Sequence, residues 1–476
     1  MKTAQAAALS LVAVAGALLV PNSAHAIPAF ARKYGTSCAT CHTVYPKLTP
    51  FGEAFRRNGY RFPGIDSDYV KQETVVLGQE ANKKTFPNSI WPGTLPSSVP
   101  IAVGFNGQTL VSPDKTSSVA RGRNGAVFNL DDLVAEGHLW GGASLSDTVT
   151  VWAELTFSDT VSVEHAQVLF NDLAGPNHYF NLVVGKGFPT LSSFGPHSSY
   201  LADIGIPNAP VTGIYGTSPD PFVLVDNYKG LELNGVIEGR VNYAVGVNSG
   251  KNSFGSSFAT EDFYASAGFK LGGMRLDGEG AIGPQDPLRP WAENALTVHG
   301  FVYHSNERFS TPGTTAGTAA SNDVGLTIGG GARAQLGSLE LNLGFYDQSH
   351  NRGTDALGNV TADVLYGEAT YVLFPWMVPG LRVESMWLKP EGGTRVNDVH
   401  LMPGIAFLVR TNLKLILAGN IEVSNGFPQD SGGNPLAWQG GSGDWGALVL
   451  TPKPGVAPTS GTQEFESVSL FLAWAM

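Results

Sequence analysis

The chain contains two cysteines, and both lie in one pentapeptide, Cys38-Ala39-Thr40-Cys41-His42. C-x-x-C-H is the spacing of c-type haem attachment: two thiols form thioethers to the porphyrin vinyl groups, and the adjacent histidine supplies an axial nitrogen to the iron. A redox dithiol needs a βαβ context that is absent, and a zinc site needs further Cys or His nearby. His42 is the sole histidine between Ile27 and Gly137. Together with an export signal and the confinement of cysteine to this motif, this favours one covalently attached haem c over a dithiol, half a zinc site or a vicinal disulfide. Cys38, Cys41 and His42 are the expected cofactor-binding residues, His42 being the metal ligand.

A short helix is expected to position them. Thr49 can act as N-cap with Pro50 at the first helical position, and Asn58-Gly59 supplies the stop. Leu48, Phe51 and Phe55 then share a face that could cover a porphyrin. Residues 27 to 63 are too few to build much of a core alone, so the haem would be most of it. The sixth iron ligand is not evident. The sequence has no Met between Ile27 and Gly273, which excludes a local Met/His pair. The iron is then five-coordinate, or takes Tyr45, a lysine or the amine of Ile27, or takes a ligand from the remaining 400 or so residues.

The rest of the chain must provide the setting. A basic start at Lys2, an apolar run from Ala6 to Val20 and Ala24-His25-Ala26 form a secretory signal peptide over 1–26. No other stretch approaches the ~20 apolar residues of a membrane helix. Only 14% of residues are charged, and 59 are glycine, against about 25% charged and about 7% glycine in ordinary soluble domains. From about Val99 onward, segments of ~10 residues alternate apolar with polar or small residues, the pattern of a transmembrane barrel strand with one face to lipid and one to a wet lumen. In 149–157, Val149, Val151, Ala153, Leu155 and Phe157 oppose Thr150, Trp152, Glu154 and Thr156; 241–248, 339–345 and 412–423 keep the same period. About sixteen such segments are expected, with Glu466 to Met476 closing the wall and Gly187 to Pro221 and Gly426 to Gln463 as external loops. A soluble β-sandwich would need a charged outer surface, and a solenoid a repeat that is not visible.

The net charge of −11 divides unevenly: residues 27–63 carry +5 and residues 64–476 carry −17. Acidic outer loops would account for this by solubility alone; the sharper expectation is that the basic segment docks in an acidic lumen as a plug, near carboxylates such as Glu154 and Glu422. By phase, His299, His400 and Met402 also face the lumen, which makes them candidates for the sixth ligand.

The run Ile27-Pro28-Ala29-Phe30-Ala31-Arg32, the haem motif, Pro46-Lys47-Leu48, Phe51-Gly52 and Asn58-Gly59-Tyr60 resembles the fused cytochrome–porins of the bacterial outer membrane, among them the iron-oxidising outer-membrane cytochromes. The match covers about 35 residues; beyond them the likeness is of length and pattern. The resemblance implies a monohaem cytochrome plugging an all-β, roughly sixteen-stranded antiparallel outer-membrane barrel. Such a protein takes electrons from extracellular Fe(II) or another donor and passes them to a periplasmic cytochrome or copper protein. The expected organisation is a signal peptide (1–26), a cytochrome segment (27–75) in the lumen or on its periplasmic side, a Pro-containing linker (76–98) and the barrel (99–476). Two other readings stay open: a solute porin in which the haem segment gates or is vestigial, and a haem sensor or reductase working in the opposite direction. The sequence shows no Ser/His/Asp array, phosphate loop or nucleic-acid patch, so hydrolytic, nucleotide or nucleic-acid roles have nothing to rest on and no catalytic residue is assigned.

Overall fold

In the computed structural model, the described residues are 29–44, 47–63, 74–76, 80–88, 94–96, 101–112, 127–129, 136–146, 148–158, 161–191, 228–249, 262–280, 286–310, 320–351, 359–392, 395–410, 413–425 and 464–475. The expected signal peptide, Ile27 and Tyr45 lie outside them, as do almost all of the two long segments expected as external loops.

The N-terminal part is built of short pieces: α1 (Ala29–Tyr34), α2 (Cys38–Cys41), the antiparallel pair β1 (His42–Val44) and β2 (Lys47–Leu48), and α3 (Pro50–Arg57). The interval expected as a linker is not featureless. It carries α4 (Glu80–Thr85) and β4 (Thr94–Pro96), and β4 pairs antiparallel with β3 (Thr74–Val76), which straddles its start.

The wall follows with β5 (Ile101–Ser112), β6 (Val127–Asn129), β7 (Glu136–Ser144), β8 (Val149–Phe157), β9 (Val161–Phe170), β10 (Asn181–Gly187), β11 (Tyr228–Ile237) and β12 (Val241–Asn248). It continues through β13 (Asp262–Gly272), β14 (Glu293–Ser310), β15 (Ala320–Gly337), β16 (Leu339–Asn351), β17 (Val360–Tyr371), β18 (Met377–Pro390), β19 (Val396–Arg410), β20 (Leu413–Asn425) and β21 (Glu464–Ala475). The pairings are antiparallel and form a closed barrel. The last strand meets the first, Trp474 opposite Phe105, and the first meets β7, Ile101 opposite Gly141. β6 is a three-residue extension beside the far end of β5, which leaves sixteen strands in the ring among the described residues.

Closure satisfies the strand backbones without edges, and only then can the outer face be apolar. The alternation of β16 shows the division: Leu343 and Phe345 are 58% and 47% exposed outward, while Asn342, Tyr346 and Gln348 at the alternate positions are buried inward. Phe263, Ile328, Leu233 and Leu365 continue the exposed belt on other strands. Water-soluble monomers rarely expose apolar patches beyond a few hundred Å², so this belt faces lipid. At the end of the barrel with short turns, Phe374 and Trp376 stack at 5.3 Å and are half-exposed, as in an interfacial aromatic girdle. β5 begins at that same end. Val44 completes an apolar cluster with Val372, Val378, Ala406, Ile416 and Ala418 of the wall region.

Candidate functional site

The cysteine motif is held by local hydrogen bonds. Ser37 caps α2, its hydroxyl accepting from Ala39 N at 3.1 Å, and the His42 N–H closes the turn on Cys38 O. One helical turn thereby sets Cys38 and Cys41 on the same side, the i, i+3 relation. α3 forms as the sequence predicts: the Thr49 hydroxyl accepts from Gly52 N at 3.1 Å, Pro50 opens the helix, and Gly59 leaves it at φ +66°. Thr49 also fastens α3 to the motif, donating from Oγ1 to Thr40 O at 2.7 Å and from N to Cys41 O at 2.9 Å. Gly52 sits against that carbonyl so closely that a Cβ would lie 2.0 Å from Cys41 O.

Cys38, Cys41 and His42 line a cavity of about 730 Å³ inside the barrel, within the ~300–1,000 Å³ range of small-molecule and cofactor sites. Its lining is aromatic on the segment's side. Tyr34 stacks on Phe62 at 4.0 Å and Phe30 on Tyr60 at 5.4 Å, with Phe55 edge-on to Phe30 and Tyr34. The wall answers with Trp152, which stacks on Tyr60 at 5.6 Å and on Phe30 at 6.3 Å. Close contact requires glycine at 142, where a Cβ would lie 2.7 Å from the Phe30 ring. Of the three residues expected to cover a porphyrin, Leu48 and Phe55 do line the cavity. Phe51 instead turns to the wall side and is fully buried with Ala54 and Met274, because the turn after β13 folds under α3 and offers an apolar partner.

Both cysteines are free thiols. Burial, and then the neighbouring Cys38, push the Cys41 thiol up to about 12; burial raises Cys38 as well, against a backbone hydrogen bond that lowers it. Addition of each S–H across a vinyl group would form a thioether and needs no oxidant. No cluster of three or more His, Cys, Asp and Glu side chains able to hold a metal occurs among the described residues. Two thiols on one helical turn with His42 beside them fit the donors of a covalently anchored haem, which His42 would ligate.

Charge complementarity locks the segment in place, and the partners differ from those expected. Lys47 is almost wholly buried, 2.6 Å from Glu340 and 3.7 Å from Glu368 of the wall. Arg61 pairs with Asp172 at 3.0 Å, while the one acidic residue of the segment, Glu53, pairs with Arg333. Backbone contacts add to this: Asn58 Nδ2 donates to Asp277 O at 2.6 Å and Thr150 Oγ1 to Gly59 O at 2.7 Å. Glu154 does face the lumen but is bound by wall histidines, not by the segment; the side chain of Glu422 lies outside the described residues.

His299, His400 and Met402 are buried on the inner face, as their phase predicts, yet none of them lines the cavity of the cysteine motif. Besides His42, the histidines that do are His138 and His165 of the wall, which sequence reading missed. His138 is inward with Trp140 on a plain alternation, a signal that was available. His165 was not legible. Val161 and Val163 face outward, and strict alternation would send residue 165 outward too; a bulge opposite Glu154 and Leu155 inserts Glu164 and turns His165 inward.

No protein-family model and no curated protein matches the chain. Among solved structures it is similar to the trimer form of OmpT of Vibrio cholerae, with 10% identity, a TM-score of 0.48 and coverage of 80% of this chain and 99% of that one. The anion-selective porin of Comamonas acidovorans gives 10% identity, 0.48, and 79% and 99% coverage. The Salmonella typhi OmpF complex with daunomycin gives 8%, 0.44, and 79% and 97%.

Proposed function

We propose that the chain is an outer-membrane electron-transfer protein: a barrel whose lumen holds a monohaem c-type cytochrome segment and which carries electrons from an extracellular donor to a periplasmic acceptor. The single observation that carries the reading is the convergence of Cys38, Cys41 and His42 on an aromatic-walled cavity within a lipid-facing barrel. Bound there, the haem supplies a one-electron site.

The residues of the chain do the rest. Thr49 and Gly52 fix the cysteine turn, the paired rings of Tyr34/Phe62 and Phe30/Tyr60 exclude water, and Lys47 and Arg61 tie the segment to the wall. Barrels of this class have short periplasmic turns, which supports a segment reached from the periplasm by a cytochrome or copper protein. An apolar band about 25 Å tall lies between the two compartments, so a redox centre inside it shortens the gap. Fe(II) is the donor implied by the resemblance, and its oxidation outside the cell would keep poorly soluble ferric products there.

The test has two stages. Denaturing electrophoresis with haem detection should show covalent haem that is lost in Cys38→Ala/Cys41→Ala; absence of haem would end the reading. Addition of Fe(II) to the loaded protein should reduce the haem. No reduction across a range of pH would remove Fe(II) as donor.

A second reading is favoured by the polar inner face, for example Thr327, Asn342 and Gln348: a solute porin whose N-terminal segment plugs or gates it. Open, solute-selective conductance in bilayers without redox coupling would support it.

A further inference from the structure

Two histidines clamp one carboxylate in the wall of the cavity that Cys38, Cys41 and His42 line. Glu154, 1% exposed on β8, accepts from His138 Nδ1 of β7 at 3.1 Å on one oxygen and from His165 Nδ1 of β9 at 2.9 Å on the other. The geometry points to His165, through Nε2, as the second axial ligand of the haem iron, with Glu154 as its positioning residue. This rests on the haem reading and deepens it.

Four observations converge. An ionised carboxylate only accepts hydrogen bonds, so the His165 proton sits on Nδ1 and Nε2 is the nitrogen able to bind iron. A carboxylate behind the other ring nitrogen is the usual backing of a metal-bound histidine, fixing its tautomer and raising its basicity. The bulge at Glu164 spends an extra residue to aim this side chain inward, against the phase of its own strand. Finally, His165 lies 6.5 Å from Trp152, whose ring stacks on Tyr60 and Phe30 of the haem-bearing segment.

His138 is placed for a different task. Its Nδ1 also meets Thr156 Oγ1 at 3.3 Å, its Nε2 lies 3.7 Å from Glu136, and its ring stacks on Trp140 at 5.3 Å. It steadies Glu154. His299, His400 and Met402 do not line the cavity.

The experiment is magnetic and optical spectroscopy of the purified, haem-loaded full chain, with covalent haem measured per chain beforehand. The ferric wild type should give a low-spin, bis-imidazole spectrum. His165→Ala should keep its haem but turn high-spin, and added imidazole should restore the low-spin spectrum; His138→Ala, His299→Ala and His400→Ala should stay low-spin. Glu154→Gln should stay low-spin with a raised reduction potential, since the imidazole loses a charged acceptor. A high-spin wild type, or an unchanged spectrum in His165→Ala, overturns the assignment, and the first result needs no variant to fold. An unchanged potential in Glu154→Gln removes that residue from the role. A chain with no covalent haem overturns the assignment together with the haem reading, and the prior haem measurement identifies that case.

Discussion

At the scale of single residues, the cysteine turn depends on two positions that carry no chemistry of their own. Gly52 leaves no room for a methyl group against Cys41 O; an added Cβ must push α2 and α3 apart. Gly52→Ala should therefore cost about 1–3 kcal/mol of local stability, as overpacking does, and lower the yield of haem-loaded protein while the barrel still assembles. Normal loading would show that the turn tolerates the displacement. Thr49 serves both as N-cap and as fastener to Thr40 O. Thr49→Ala is expected to lose about 1–2 kcal/mol, read as faster amide exchange in α3, whereas Thr49→Ser should retain most of the protection.

At the scale of elements, the issue is what keeps the N-terminal segment docked. Lys47 is buried between two carboxylates, and removing one member of a buried ion pair typically costs ~3–5 kcal/mol because the remaining charge is stranded. Lys47→Ala should expose residues 29–63 to protease without unfolding the wall; equal resistance would show that apolar packing by Val44 and Phe51 suffices. Docking also has a pH dependence. Burial acts to raise the Glu53 carboxyl, but Arg333, Lys270 and Arg57 outweigh it and hold it below its ordinary value. Asp172 is likewise held low against burial, by the His178 backbone N–H and Arg61. A carboxylate depressed in the folded state contributes stability above its unfolded value of ~4 and loses it as pH falls through the folded value. Docking should thus persist at neutral pH and weaken below about pH 4. Protection from an acid-active protease that stays constant below that point would contradict the ion-pair account.

At the scale of the whole molecule, the closed wall and the segment docked against it can be tested apart. A closed ladder keeps its backbone bonds in detergent because none is exposed at an edge, so the unheated protein should migrate as a compact species and shift on boiling. A plugged lumen should conduct poorly. Reversing both anchoring charges, Lys47→Glu with Arg61→Glu, sets like charges against Glu340, Glu368 and Asp172 and should raise single-channel conductance. Unaltered conductance would mean that the segment does not obstruct the pore.

Much of this was written in the sequence because it is local or periodic. The cysteine motif, the Thr49 cap, the Gly59 stop and the two-residue alternation of β8, β12, β16 and β20 each depend on neighbours a few positions away, and the strand period places Thr150, Glu154, Asn342 and Lys414 inward without any tertiary knowledge. What tertiary structure decided is whatever joins distant stretches. The partners of Lys47 and Glu53 lie about 300 residues further along the sequence, and no local pattern names them. Phe51 turned from the expected cavity face because the turn at Met274 folds beneath it. His165 was hidden for a sharper reason: one inserted residue in a strand reverses the facing of everything after it, and a bulge is set by pairing with the adjacent strand, not by the strand itself.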